Sequence, residues 1–312
     1  MSAIRLGTRA STLATTQSEM VARLLRSEGL DVDLTTITTH GDTSTASLAA
    51  MGGIGVFASA IRATLLKGEA DIAVHSFKDL PTGRPLGLAI GAVPARADPR
   101  DALVARDGLT LHDLPQEASV GTGSPRRAAQ LLAVRPDLTI VDIRGNVDTR
   151  LGRVKGLGHY AKGGGKEDLD AVVLAASGLA RLGHSGTVTE FLDPSVVLPA
   201  PAQGALAVEC RTADSRHGKL AKALARIDDR RTRLAATAER AVLSHLEAGC
   251  AAPIGALAQL KPVSGSSPQV LTLDVVVATV DGSRIIREQV SVELPAEVDS
   301  ALAAAHTLGV TA

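Results

Sequence analysis

Short apolar, β-branched runs alternate along this chain with longer stretches whose apolar residues recur every three or four positions. Ile4 and Leu6 mark a first strand. Leu13, Met20, Val21, Leu24 and Leu25 then recur at helical spacing, with Thr12 as the candidate cap and Gly29 as the stop. Residues 32–37 are β-branched and predict a strand. The polar stretch 38–53, ending in Gly52-Gly53, predicts a long mobile loop. Residues 56–66 predict a second amphipathic helix closed by Gly68. Residues 71–75 predict a short buried strand whose exit carries Ser76-Phe77-Lys78-Asp79-Leu80-Pro81. This rhythm predicts a mostly parallel sheet covered by helices.

A Pro/Arg/Asp connector at 94–100 interrupts the rhythm, which then restarts. Strands are predicted at 102–105, 119–121, 139–143 and 169–175, and helices at 125–134 and 147–154. The segment 156–165 contains five glycines and reads as an exposed flexible insertion. A second connector spans 194–201. A strand at 206–210 leads into two Ala/Arg/Leu-rich helices that run to about residue 247. Beyond 254, runs at 257–260, 271–280 and 285–292 predict an antiparallel sheet, and 296–308 a final helix, so the tail reads as a smaller α+β domain.

The length of 312 residues suits two or three domains. With one Tyr, three Phe and no Trp, the cores must be built from Ala, Val, Leu and Ile, and platforms for stacking nucleic-acid bases are almost excluded. The start lacks the apolar region of a secretion signal, and no window approaches the roughly 18 apolar residues of a membrane span. The expectation is a cytoplasmic protein that engages neither nucleic acid nor membrane.

The formal net charge is zero, yet arginines gather in Gly/Ser/Thr loops just after apolar runs. They are Arg9, Arg126, Arg127, Arg144 and Arg150. Arginine outnumbers lysine 25 to 8, which explains number but not placement. Strand exits are where α/β folds bind ligands, and guanidinium is well shaped to grip carboxylate or phosphate. The pattern therefore points to a small polyanionic ligand in a local cationic cleft, not to a nucleic-acid backbone.

Ser124-Pro125-Arg126-Arg127 is the sharpest local signal: Ser is a favoured N-cap, Pro a favoured first helical residue, and the free N–H groups of a helix start attract anions. Lys78-Asp79 at a strand exit reads either as an exposed local ion pair or as a carboxylate kept ionised among cations. Cys210 lies in an apolar strand and reads as packing, whereas Cys250 sits between Gly249 and Pro253 in a tight loop. No Cys/His cluster suggests a metal site, and neither a dinucleotide-binding glycine fingerprint nor a P-loop is present.

Taken together, the stretches 9–17, Gly41-Asp42, Gly55-Val56-Phe57, 75–81, 121–127, 144–150, Gln203-Gly204 and Gly249-Cys250 resemble the hydroxymethylbilane synthase (porphobilinogen deaminase) family in order and spacing, over essentially the whole chain. The resemblance implies an α/β fold of two periplasmic-binding-protein-like lobes plus a smaller α+β C-terminal domain. It implies domain 1 at 1–97 with 199–222, domain 2 at 98–198 and domain 3 at 223–312. It implies a monomeric transferase that deaminates and polymerises porphobilinogen into a linear tetrapyrrole. The primer would be a dipyrromethane cofactor bound covalently through Cys250. By the same resemblance Asp79 is the catalytic carboxylate, and Arg9, Ser11, Gln17, Lys78, Ser124, Arg126, Arg127, Arg144, Arg150, Arg181 and Gln203 bind cofactor or substrate. Each pyrrole carries an acetate and a propionate, which gives such a set of arginines a purpose.

Three positions depart from the family pattern. Ile54 stands where many members have Lys, Gly123 and Pro125 replace a Ser and an apolar residue, and 153–167 is longer and richer in glycine. Two other readings remain at this stage: a non-catalytic two-lobed protein that captures a small dicarboxylate, and an effector-sensing regulator. The first is disfavoured by Cys250 in its loop, the second by the want of a basic helix-turn-helix before the first lobe.

Overall fold

A computed structural model of the chain describes residues 3–37, 56–83, 85–247, 252–261 and 269–312. The expected loop at 38–53, the motif glycines 41 and 55, Ile54 and Cys250 lie outside the described residues. The elements run β1 (Ile4–Thr8), α1 (Thr12–Ser27), β2 (Val32–Thr36), α2 (Val56–Leu66), β3 (Ile72–Ser76) and β4 (Leu88–Ala92). They continue with β5 (Asp101–Ala105), β6 (Ser119–Gly121), α3 (Pro125–Val134), β7 (Thr139–Val141), α4 (Val147–Leu151), β8 (Ala171–Ala175), α5 (Ala176–Arg181) and β9 (Glu190–Phe191). The chain then forms β10 (Leu206–Arg211), α6 (Gly218–Ile227), α7 (Arg230–His245), β11 (Ile254–Lys261), β12 (Gln269–Ala278), β13 (Ile285–Leu294) and α8 (Val298–Thr311).

These elements build two α/β lobes and a smaller α+β unit, as expected. The first lobe is a five-stranded sheet ordered β2-β1-β3-β10-β4, the second a five-stranded sheet ordered β7-β6-β8-β5-β9. The two orders are the same pattern. In each, a strand next to the edge runs antiparallel to both neighbours: β10 between β3 and β4, and β5 between β8 and β9. Because β10 follows the second lobe in sequence, the chain crosses between lobes twice, through 93–100 and 192–205.

Burial follows the strand period. In the second lobe Leu103, Val120 and Val173 pack with Leu131 on one face, while Val104, Val172 and Leu174 pack with Ile143, Leu151 and Leu179 on the other. Strands covered on both faces read as continuous apolar runs, which is why β5 and β8 carry no polar alternation after their first residues. In the first lobe, Leu6, Ile72 and Val208 pack with Val21 and Leu25 of α1 and Leu224 of α6. In the third unit, α7 and α8 lie on the sheet β11-β12-β13, so close that a methyl group added at Gly309 would come within 2.0 Å of the Ala238 carbonyl oxygen. Alanine-rich helix faces allow that approach.

The structure corrects several local expectations. Ser11, extended at φ −68° and ψ 142°, caps α1 by accepting from the Ala14 N–H, so Thr12 is already the first helical residue. The helix expected to reach 154 ends at Leu151, since Val154 forms a bridge with Leu169. Strands β4 and β9 and helix α5 are additional; in β4 and α5, Gly and Ala dilute the apolar period that would reveal them. Helix α6 runs across residue 222 and packs Ala223 and Leu224 with Leu6, Ile72 and Val208. The Gly-rich insertion is exposed but closed: the Glu167 carboxylate accepts from the Gly156 and Gly158 N–H groups, and Tyr160 sits edge-on to His184.

Glu239 of α7 joins the three units. Its wholly buried carboxylate accepts from both terminal nitrogens of Arg96 at 2.6 and 3.0 Å, and from the Ala202 and Ala258 N–H groups. Arg96 lies in one crossing segment, Ala202 in the other, and Ala258 in β11. Every lone pair therefore has a donor, the condition under which a buried ion pair is tolerated. Glu239→Ala leaves Arg96 unpaired and should cost about 3–5 kcal/mol of stability, read as a lower urea midpoint. A loss under about 1 kcal/mol would show that the joint does not depend on this carboxylate.

Candidate active site

The first sheet delivers Lys78 and Asp79. β3 ends at Ser76, and the chain makes a single tight turn, Phe77–Asp79, before Leu80 returns to extended backbone. Phe77 is buried beneath the turn and anchors it, while Asp79 is exposed and Lys78 half-buried. Gln17, buried on α1, bonds through its amide nitrogen to the Ser76 hydroxyl at 2.9 Å and so steadies the strand exit. Lys78 Nζ reaches across to Gln203 Oε1 at 3.2 Å.

Gln203 passes the contact to the second lobe. Its amide nitrogen donates to Asp101 Oδ1 at 2.8 Å and to the Pro99 carbonyl at 2.8 Å. Asp101 is the first residue of β5 and is fully buried. Arg126 Nη1 donates to its Oδ2 at 2.7 Å and to the Leu198 carbonyl at 2.7 Å. Arg127 donates Nε and Nη2 to Oδ1 at 3.0 and 2.7 Å, and Nη1 to the Val173 carbonyl at 3.0 Å. Both arginines are buried, 3% and 6% exposed, so the Ser124-Pro125 helix start carries them inward onto Asp101 and not onto an open surface. This modifies the expected picture of bare anion anchors. Ser124 is the N-cap residue, half-buried, and its hydroxyl makes no capping bond.

The other arginines surround this network unevenly. Arg150, on α4, is half-buried and donates Nε to the Gly145 carbonyl at 2.9 Å. Arg181, at the end of α5, reaches into the crossing segment, where Nη2 donates to the Gly204 carbonyl at 2.7 Å. Arg9 is half-buried immediately after β1, and Ser11 is exposed at the α1 cap. Arg144 is the outlier: exposed, with, among the described residues, only a long 3.5 Å contact to Asp142.

Electrostatically the cluster is short of anions. Burial pulls the Lys78 ammonium below its ordinary value; Asp79 opposes this, Arg127 adds to it, Asp101 opposes and Arg126 adds. Burial also lowers Arg150, helped by the nearby Arg127 charge, and pulls Arg181 down to about 10. Arg181 Nε is buried without a hydrogen-bond partner among the described residues. Burial alone would raise the Asp101 carboxyl, but the charges and hydrogen bonds of Arg126 and Arg127 outweigh it and hold it well below the usual carboxylate range. Arg126 is nevertheless lowered, by burial, because two guanidinium groups share one carboxylate. A polycarboxylate is the ligand that relieves these deficits.

Asp101, Glu239 and Arg240 escaped the sequence reading. Asp101 had a signal, an acid opening an otherwise apolar strand; the other two sit on a helix whose other polar positions mask them. Among the described residues no group of His, Cys, Asp and Glu could hold a metal ion. Cys210 is wholly buried, and burial pushes its thiol up to about 11, which suits inert packing.

A carboxyl depressed in the folded state stabilises the fold above its unfolded value of about 3.9, and that contribution is lost as pH falls from there towards the folded value. Asp101→Asn should therefore cost about 3–5 kcal/mol of stability at pH 7, read as a lower urea midpoint, and remove part of the wild-type loss of stability below about pH 4. A variant as stable as wild type at pH 7, with the same acid limb, would show that the Asp101 cluster is not structural.

Two family models cover most of the chain: "Porphobilinogen deaminase, dipyromethane cofactor binding domain" matches residues 4–219, and "Porphobilinogen deaminase, C-terminal domain" matches 233–311. A porphobilinogen deaminase of Cutibacterium acnes is 96% identical over 312 residues, 100% of this chain and 93% of its own length. One from Micrococcus luteus is 52% identical, covering 99% of this chain and 91% of its own. Among solved structures, apo YehZ from Escherichia coli covers 73% of this chain and 86% of its own at a TM-score of 0.42 and 14% identity, a level from which nothing further is drawn. With models of both parts matched in order and a near-identical relative along its full length, the chain belongs to the porphobilinogen deaminase family.

Proposed function

We propose that this protein deaminates porphobilinogen and joins the units head to tail into the linear tetrapyrrole hydroxymethylbilane, on a dipyrromethane primer held through Cys250. The observation that carries this reading is the excess of cations around one exposed carboxylate. Lys78, Arg126 and Arg127 interact with one another and with Asp79 and Asp101, Arg150 adds its charge beside Arg127 and Asp142, and the cations outnumber the carboxylates where the two lobes and both crossing segments meet. Capture of a small dicarboxylate without chemistry would also use cations, but family membership removes that alternative.

Each porphobilinogen brings two carboxylates, and the reading assigns their grip to the guanidinium groups of Arg9, Arg150 and Arg181, which are half-buried, with Ser11 and Gln17 on the first-lobe side. Arg126, Arg127, Lys78, Ser124 and Gln203 form the fixed floor, on which a permanently bound anion gains most from preorganised charge. When bound, the dipyrromethane supplies the free pyrrole α-position to which the first unit is joined. Asp79 has a different task. As ammonia departs from the aminomethyl group the pyrrole becomes cationic, and the exposed carboxylate accepts its N–H and stabilises that charge. The same group assists removal of the α-proton once the new carbon–carbon bond has formed. Arg144, exposed and weakly paired, is placed for a longer chain.

We assign the first domain to 1–97 with 199–227, the second to 98–198 and the third to 228–312, which keeps α6 whole. The reading also has the enzyme act as a cytoplasmic monomer. It is supported by the resemblance to the family set out above; among the described residues no helix is long and apolar enough to cross a membrane.

Intact protein should exceed its sequence mass by one dipyrromethane and give a pyrrole colour with Ehrlich's reagent. Cys250→Ser should abolish both, and Cys210→Ser should change neither; active protein of unmodified mass would overturn the proposal. Asp79→Asn should retain the adduct and capture substrate while turnover falls by about 10²-fold or more. Near-normal turnover in that variant would show that another group carries the charge.

A further inference from the structure

The turn that carries Lys78 and Asp79 is held from outside the first lobe. Arg240, half-buried on α7, donates Nη1 to the Phe77 carbonyl at 2.9 Å and to the Leu80 carbonyl at 2.7 Å, and Nη2 to the Pro81 carbonyl at 2.8 Å. Its guanidinium carbon also lies 4.5 Å from the centroid of the Phe77 ring. One planar cation thus collects the carbonyl oxygens on both sides of Lys78 and Asp79 while covering the aromatic ring beneath them. A single 3-10 turn has few hydrogen bonds of its own; here the Leu80 N–H to the Phe77 carbonyl, at 3.3 Å, is weak. The geometry of the turn must come from a neighbour, and Arg240 has the forked shape to set three carbonyl directions at once. The preceding residue, Glu239, joins both crossing segments to the same helix, and α7 ends at His245, a few residues before Cys250.

We propose that Arg240 is a positioning residue for the reaction: it fixes the Lys78–Asp79 turn to the helix leading to the cofactor-bearing segment, so that carboxylate and growing chain stay in register. The proposal rests on the function given above. Arg240 touches no reacting atom; it acts through the backbone of the turn. Misplacing a catalytic group by about 1 Å costs on the order of 10²-fold in rate while leaving binding groups elsewhere untouched. The carboxylate-gripping arginines lie on other elements, so substrate affinity should survive the loss of this clamp.

The test compares wild type, Arg240→Lys and Arg240→Met, each purified as the full chain and weighed intact for the dipyrromethane adduct. Steady-state kinetics are then measured with porphobilinogen across pH. In the loaded variants kcat should fall by at least about 10-fold with KM changed by less than about 3-fold, Lys recovering part of what Met loses. The pH profile of kcat/KM should also differ from that of wild type. If Arg240→Met does not accumulate as folded protein, Arg240→Lys alone decides, since it keeps the charge but cannot reach three carbonyls in a plane. Wild-type kcat and an unmoved pH profile in a folded, loaded variant would overturn the proposal, as would a loss confined to KM. Wild-type protein with neither adduct nor turnover would instead overturn the functional reading itself.

Discussion

Asp101 opens β5 where the chain leaves the first lobe, and its buried carboxylate meets Arg126, Arg127 and Gln203 at once. A lone carboxylate so deep would be neutralised or expelled, and so would either guanidinium. Each is present because the others are. The triad holds the start of α3 to the first residue of β5, and through Gln203 it reaches Lys78 on the other lobe. The cluster still carries more positive than negative charge, and that surplus is what a ligand with several carboxylates meets.

Surplus charge also explains the division of labour among the arginines. Those paired to Asp101 have lost most of their freedom and serve as fixed floor. Arg150 and Arg181 are half-buried and each donates to a backbone carbonyl, so burial works against their charge, with Asp142 opposing it only in part for Arg150. A binding site built this way keeps cations together at a cost in folding stability.

Much of this was legible along the chain because its signals are local. The Ser76–Pro81 stretch announced itself as a strand exit, Ser124-Pro125 as a helix start, and the two Pro-rich connectors as the crossings between lobes. What stayed hidden depends on partners distant in sequence. Residues 206–210 read as a strand, but nothing in them says that β10 inserts antiparallel between β3 and β4. Arg126 and Arg127 read as cations at a helix start, but their inward direction is set by Asp101 and the Leu198 and Val173 carbonyls. Arg240 read as one more charge on an Arg-rich helix, because the carbonyls it gathers come from a turn more than a hundred residues earlier.

The interleaved strand order has a consequence for synthesis on the ribosome. The second sheet is drawn from one continuous stretch, 101–191, and can close as soon as that stretch has emerged. The first sheet begins earlier but ends later: β3 and β4 have no mutual pairing and wait for β10 to come between them. Until then β3 exposes an open edge, and Arg62 and His75 lack the buried Glu209 that β10 brings to them. The lobe that starts first is therefore the one completed second, and the nascent chain carries its unfinished half through the whole translation of its finished one.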